Sequence, residues 1–239
     1  MTNPIIVALD VSDPELSLKW VDDLSPVVGA FKVGKELFLG AGPAVVRRIR
    51  DRNGRVFLDL KFHDIPQTVS RAVAAAVRLD VQMMTVHASG GRAMLEAAEQ
   101  SARETARALR RDPPLVLGVT VLTSLEQADL ESIGVQDTVA RQVERLAGLC
   151  VAAGLRGLVC SPLEIAFLRG LLPTGFQLVT PGIRPAHAPS DDQKRTLSAP
   201  EALAAGADWL VIGRPITSAA NPRQAANEIL TSLRDSPAG

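Results

Sequence analysis

Asp59, Lys61 and Asp64 place two carboxylates and an ammonium in the stretch Val56-Phe-Leu-Asp-Leu-Lys-Phe-His-Asp-Ile-Pro-Gln-Thr68, where an apolar run gives way to a polar one. A lysine flanked by carboxylates stays protonated, which suits a general acid. A Schiff-base lysine needs the opposite, a dry pocket or a cationic neighbour. If Val56–Leu60 is a strand, alternation turns Asp59 and Lys61 to one face, with Cα atoms about 6.6 Å apart, and Leu58 and Leu60 to the other. Asp64 follows the strand just before Ile65-Pro66, where a carboxylate can cap a helix. The plain structural alternative is an Asp59–Lys61 ion pair plus an Asp64 cap. Buried ion pairs are poor stabilisers, because desolvation offsets much of their attraction. A charge cluster at the mouth of a fold is better explained by chemistry.

The elements that must hold these residues recur along the chain. Apolar runs stand at Ile5–Leu9, Ala30–Val33, Val56–Leu60, Met83–Val86, Val116–Val121, Gly157–Cys160, Gln177–Thr180 and Trp209–Ile212. Helical patterns lie between them: Pro66 opens one that continues through Val69–Leu79, and Arg92–Arg111, Thr138–Ala153 and Pro222–Arg234 are others. Continuous apolar strands separated by helices read as parallel strands buried on both faces. Eight such units without a composition break predict an α/β fold, one (β/α)8 TIM barrel spanning residues 1–239 as a single domain. An open doubly wound sheet is the runner-up, but the first strand ends in Leu9-Asp10-Val11-Ser12, with no GxGxxG. Asp10, Lys32, Asp59, Lys61, His87, Thr123, Pro181 and Arg214 all fall at or just past predicted strand ends. In a barrel these ends form the rim that carries active sites.

The loops after strands seven and eight are the usual phosphate site of such barrels. Here they read Val179-Thr-Pro-Gly-Ile-Arg184 and Trp209-Leu-Val-Ile-Gly-Arg214-Pro-Ile. Gly182 and Gly213 let backbone N–H groups approach an anion, and Arg184 and Arg214 can bond phosphate oxygens. The segment Pro185–Ser198 is too long for a connector and is expected to act as a mobile lid. Asp10 and Lys32 suit a sugar hydroxyl or an ion pair across the mouth. Thr123 suits a base or a turn cap. His87 reads as a satisfied rim histidine, and His63 and His187 have no partner pattern.

Composition narrows the classes. The 239 residues are 46% hydrophobic and 22% charged with a formal net charge of zero, which fits a globular enzyme better than a nucleic-acid binder. With no tyrosine, six phenylalanines and two tryptophans, stacking platforms for bases are not expected. Cys150 and Cys160 lack metal spacing and read as buried thiols of a reduced, cytoplasmic compartment. The start, MTNPIIVALD, shows neither a signal peptide nor a membrane span. With no HExxH, cysteine cluster or Walker loop, no metal and no cofactor is expected.

The chain resembles the orotidine 5′-phosphate decarboxylases of the bacterial type. The resemblance runs nearly end to end through Ala-Leu-Asp10, Phe31-Lys32-Val-Gly, Asp59-Leu-Lys61-Phe-His-Asp64-Ile-Pro-Gln-Thr68, Val-Leu-Thr123-Ser, Val-Thr-Pro181-Gly-Ile-Arg184, Asp191-Asp-Gln193-Lys-Arg and Ile-Gly213-Arg214-Pro-Ile-Thr. DxKxxD alone is shared with related sugar-phosphate enzymes; the full set in this order is far more specific. It implies decarboxylation of orotidine 5′-monophosphate to UMP in pyrimidine biosynthesis, without a cofactor, by a cytoplasmic homodimer. By position, Lys61 is the proton donor, and Asp59 and Lys32 belong to its charged array. Asp64, Ile65 and Thr68 reach into the partner's site. Asp10 and Lys32 hold the ribose, Thr123 the pyrimidine amide, and Pro181 belongs to the substrate-binding rim. Arg184, Gln193, Gly213 and Arg214 hold the phosphate. Some members add a lid tyrosine, which this chain lacks. The nearest rival is a metal-dependent sugar-phosphate barrel with the same triad. Such enzymes place a metal-binding glutamate where this chain has Lys32, which repels Mg²⁺. A non-catalytic phosphate-binding barrel leaves the charge cluster unexplained.

Overall fold

The computed structural model describes residues 3–184 and 196–235. Eight parallel strands follow one another around a closed ring: β1 (Ile5–Ala8), β2 (Ala30–Gly34), β3 (Val56–Phe62), β4 (Met83–His87), β5 (Leu115–Val119), β6 (Gly157–Val159), β7 (Gln177–Thr180) and β8 (Trp209–Ile212). β8 pairs back onto β1, with Leu210 level with Ile5. That ladder closes the expected (β/α)8 barrel and removes the open sheet. All eight expected strands are present. β5 stops at Val119, two residues short of its expected end, and β3 continues two residues beyond Leu60 to Phe62.

Two apolar layers follow from the period of two. Ile6, Ala8, Ala30, Phe57, Met83, Leu117, Val179 and Val211 fill the barrel interior. Ile5, Val7, Phe31, Val33, Leu58 and Met84 face outward into the layer shared with the helices. The inward series of β2 runs from Ala30 to Lys32, and that of β3 from Phe57 to Asp59 and Lys61. Apolar residues thus plug the barrel, and charged ones occupy the layer above. Register sets the levels: Lys32 lies beside Ala8 and Phe57, and Asp59 beside Gly34.

The helix Pro66–Arg78 begins at its proline as expected, but its N-cap is Ile65, which supplies no side-chain bond. Asp64 instead accepts the Ile65 N–H at 2.7 Å. It stands one residue too early to cap, so the plain helix-cap alternative does not account for it. After β7, Gly182 adopts a φ of 82°, a left-handed conformation that suits glycine. Ile183 then bridges to Leu197, and the Arg184 N–H donates to the Leu197 carbonyl at 3.0 Å. Ser198 and Glu201 form a capping box on the helix Ala199–Ala204. Leu197 and Ser198, expected within the lid, are instead tied to the Arg184 backbone and to the helix Ala199–Ala204. Residues 185–195, including Gln193 and the rest of the expected lid, lie outside the described residues. Among the described residues no helix is long and apolar enough to cross a membrane.

Cys150 and Cys160 are buried thiols, as expected. Burial pushes the Cys150 thiol up to about 12, so it is packing material rather than a nucleophile. A Cβ added at Gly118 of β5 would fall 2.3 Å from the Cys150 sulfur. Gly118→Ala should therefore cost about 1–3 kcal/mol through overpacking. Adding Cys150→Ala removes the clashing atom, so the double variant should be less destabilised than the sum of the two singles. Urea unfolding of the four chains measures this, and strict additivity would contradict it.

Candidate active site

Four charges alternate across three strands at the barrel mouth. Lys61 Nζ donates to both oxygens of Asp59, at 2.8 and 2.9 Å. Lys32 Nζ lies 3.9 Å from Asp59 Oδ2 and donates to Asp10 Oδ1 at 2.7 Å. The series is Asp10, Lys32, Asp59, Lys61, running from the end of β1 through β2 to β3. The Asp59 side chain is only 12% exposed. Burial pushes its carboxyl up, but the ammonium groups of Lys61 and Lys32, with hydrogen bonds from Lys61 and Thr85, outweigh that. The net result holds Asp59 below its ordinary value.

β3 departs from regular geometry at this point. Leu58 pairs with Met84, yet the next paired residue, Phe62, sits beside Val86, so β3 spends extra residues against β4. Within this bulge Lys61 has a φ of 54°, the left-handed region that side chains rarely adopt. Asp59 and Lys61 both face the cavity, as alternation predicts. The route between them is a bulge rather than a flat strand.

The cavity above the apolar plug measures about 450 Å³. Asp10, Lys32, Asp59, Lys61, Thr123, Pro181, Arg184, Gly213 and Arg214 all line it. β3 and β7 stand four strands apart in the eight-strand ring, so Lys61 and Arg184 approach from opposite sides. Arg214 opens the short helix Arg214–Thr217 directly after β8, beside Gly213. Ala8, Phe57, Val119, Val159 and Val211 form the apolar floor and walls. One side of the chamber thus carries alternating charges and the other two arginines.

Three expected residues are not brought there. Asp64, Ile65 and Thr68 are exposed and do not line the cavity, Ile65 being 65% exposed. Sequence reasoning also missed several neighbours. Ser124, Cys160 and Thr217 line the cavity. Thr85 sits beneath the charged pair, and an inward polar residue on apolar β4 was its only signal. His63, given no partner, lies with its ring centroid 5.4 Å from that of His87. His87 ends β4, half-buried and off the cavity. Burial, then the charges of His63, Lys61 and Lys35, hold it below its ordinary value.

A family model for orotidine 5′-phosphate decarboxylase / HUMPS matches residues 3–229. The chain belongs to that family. Among its relatives, the orotidine 5′-phosphate decarboxylase of Moorella thermoacetica is 52% identical over 230 residues, covering 96% of this chain and 91% of the relative. That of Aliivibrio fischeri is 51% identical over 229 residues, 96% of each chain. The crystal structure of orotidine 5′-phosphate decarboxylase from Lactobacillus acidophilus superposes with a TM-score of 0.86 at 36% identity, covering 97% of this chain and 99% of that one. Within the cavity, Asp59 is the carboxylate that faces both Lys61 and Lys32.

Its pH signature is predictable. A carboxyl held below its ordinary value adds stability that is complete above that value, 3.8, and is lost as pH falls through the lower folded value. The unfolding free energy of the wild type should therefore fall more steeply on acidification below about pH 4 than that of Asp59→Asn. Urea midpoints measured across the acid range check this, and equal slopes in the two chains would refute the depressed Asp59.

Proposed function

We propose that this chamber converts orotidine 5′-monophosphate to UMP and CO2, with Lys61 protonating C6, at a site completed by Asp64 of a second copy of the chain. The overall activity follows the family and the named relatives: a carboxy-lyase of pyrimidine biosynthesis. The observation that carries the mechanism is the Lys61 ammonium, clamped by Asp59 at 2.8 and 2.9 Å on the wall opposite the Arg184 loop.

The C6–carboxylate bond breaks and its electron pair stays on C6, with no neighbouring carbonyl to take it up as an enolate. Lys61 meets both needs that this creates. Its charge stabilises the developing carbanion, and its proton then goes to C6. Asp59 keeps the ammonium oriented and charged. Asp10 and Lys32 take the ribose hydroxyls, Thr123 and Pro181 the pyrimidine, and Arg184, Gly213, Arg214 and Gln193 the phosphate. Phosphate contacts far from C6 supply binding energy that orders the reacting end.

A partner's Asp64 is supported by what a single chain leaves incomplete. Asp64, Ile65 and Thr68 stand exposed beside the mouth, off their own cavity. On the same side the Lys35 ammonium adds positive charge near His87 and Lys61. A carboxylate arriving from a second copy complements that charge, and the exposed Ile65 is buried with it. The thiols and the pyrimidine pathway fit the cytoplasm.

The metal-dependent rival is disfavoured by Lys32, whose ammonium bonds Asp10 and faces Asp59 where a divalent ion would need those carboxylates. Among the described residues, no three His, Cys, Asp or Glu side chains gather to hold a metal ion.

Incubation with orotidine 5′-monophosphate plus EDTA should give the absorbance change of UMP formation. EDTA-sensitive turnover of a pentulose or hexulose phosphate would favour the rival instead. Lys61→Ala should stay folded and lose at least roughly a thousandfold in kcat. Mixing inactive Lys61→Ala and Asp64→Ala chains should restore activity, because one hybrid site then holds both native residues. No recovery from demonstrated hybrid dimers would place Asp64 in its own subunit's chemistry.

A further inference from the structure

Thr85 is fully buried in β4, on the inward face it shares with Met83. The bulge leaves it as the β4 residue opposite Asp59, Leu60 and Lys61, since pairing jumps from Leu58–Met84 to Phe62–Val86. Its hydroxyl does two things there. It accepts the Lys61 backbone N–H at 2.9 Å and lies 3.0 Å from Asp59 Oδ1. The Lys61 N–H occupies a lone pair of the hydroxyl and an ionised carboxylate can only accept, so the Thr85 proton goes to Asp59. One oxygen thus replaces the ladder carbonyl that the bulge removes, and ties the Lys61 backbone to the carboxylate that holds its ammonium.

We propose that Thr85 is a positioning residue for the decarboxylation: its hydroxyl holds Lys61 in the left-handed backbone conformation and braces Asp59, so that the ammonium stands at a fixed place in the cavity. This rests on the reaction proposed above. Thr85 does not line the cavity, so it acts on the reaction through Lys61 and Asp59. A left-handed lysine is intrinsically unfavourable and persists only where its surroundings over-determine it. The buried hydroxyl is such a constraint. Without it the Lys61 N–H has no acceptor, the backbone is free to relax, and the base of the side chain shifts.

The test compares Thr85→Val, which keeps the shape and removes the hydroxyl, with Thr85→Ser, which keeps the hydroxyl. With orotidine 5′-monophosphate, Thr85→Val should lose on the order of a hundredfold in kcat with KM changed less than about threefold, because ångström-scale misplacement acts on the reacting geometry. Phosphate and ribose contacts remain. The acid limb of its kcat/KM profile should move to higher pH, since Asp59 loses a donor that helps keep it ionised against its neighbours Lys61 and Lys32. Thr85→Ser should recover both kcat and the acid limb to near the wild type. A merely structural threonine would lower thermal stability and leave the acid limb in place. Wild-type kcat and acid limb in Thr85→Val, or a Thr85→Ser enzyme as impaired as Thr85→Val, would overturn the proposal. If the valine chain fails to fold, Thr85→Ala takes its place in the same comparison. Wild-type turnover in the same assay tests the reaction itself, so the two readings fail separately.

Discussion

One buried carboxylate sets the terms for the mouth of this barrel. Asp59 is shared by two ammonium groups, one in hydrogen-bonding contact and one at 3.9 Å, and by the hydroxyl of Thr85. Opposite charges about 3 Å apart attract by roughly 6 kcal/mol at an effective dielectric near 20. Desolvation takes back much of that, so the cluster contributes little net stability. Removing the carboxylate alone would be far worse, because Lys32 and Lys61 would face each other in a cavity with no counter-charge between them. The close approach of the Lys32 and Lys61 ammonium groups therefore depends on Asp59 remaining ionised.

The barrel satisfies this condition by dividing the labour between stiff and less regular parts. The charged series rides mainly on β2 and β3, whose outward faces are locked into the helix layer by Phe31, Val33 and Leu58 and whose lower inward positions rest on the apolar plug. Arg184 and Arg214 stand on connections after β7 and β8. The first of these leaves the strand at Gly182 and is closed at its base by Leu197. Groups that must hold a proton and a charge in one place sit on strands. Groups proposed to meet the phosphate sit on the connections that follow the strands.

Much of this was legible in the sequence, for physical reasons that also mark where legibility ends. Parallel strands buried on both faces must be continuous apolar runs, so all eight stood out, and a lysine and an aspartate interrupting one such run were conspicuous. Alternation then put Asp59 and Lys61 on one face correctly, because a bulge that adds residues can still return both side chains to the cavity. The bulge itself, and the positive φ at Lys61, leave no trace in residue type, since the residue there is not glycine. Thr85 was hidden for the same reason: threonine is an ordinary strand residue, and its importance arises only from the mismatch between β3 and β4. Asp64 looked like a helix cap because a carboxylate before Ile-Pro commonly is one. A one-residue offset decides the matter, and sequence reading does not resolve single residues at element ends. The histidine pair joins two strands' ends across space and has no sequence signature at all.

The electrostatics of Asp59 also bear on how the proposed reaction is driven. A carboxylate held below its ordinary value cannot relieve a second negative charge by taking up a proton near neutral pH. When the substrate's own carboxylate enters the same array, the repulsion has two outlets: movement of the array, or conversion of the substrate carboxylate to neutral CO2. Movement is opposed by the strand, the bulge and the Thr85 hydroxyl, which set the positions of Asp59 and Lys61 before any ligand arrives. Departure of CO2 moves the negative charge onto C6, beside the Lys61 ammonium, where it is stabilised and then quenched. The left-handed backbone of Lys61 fits this account. Its energetic cost is borne on folding, so the dipoles and charges need little reorganisation when the carbanion forms, and preorganised charge of this kind is among the largest contributors to catalysis.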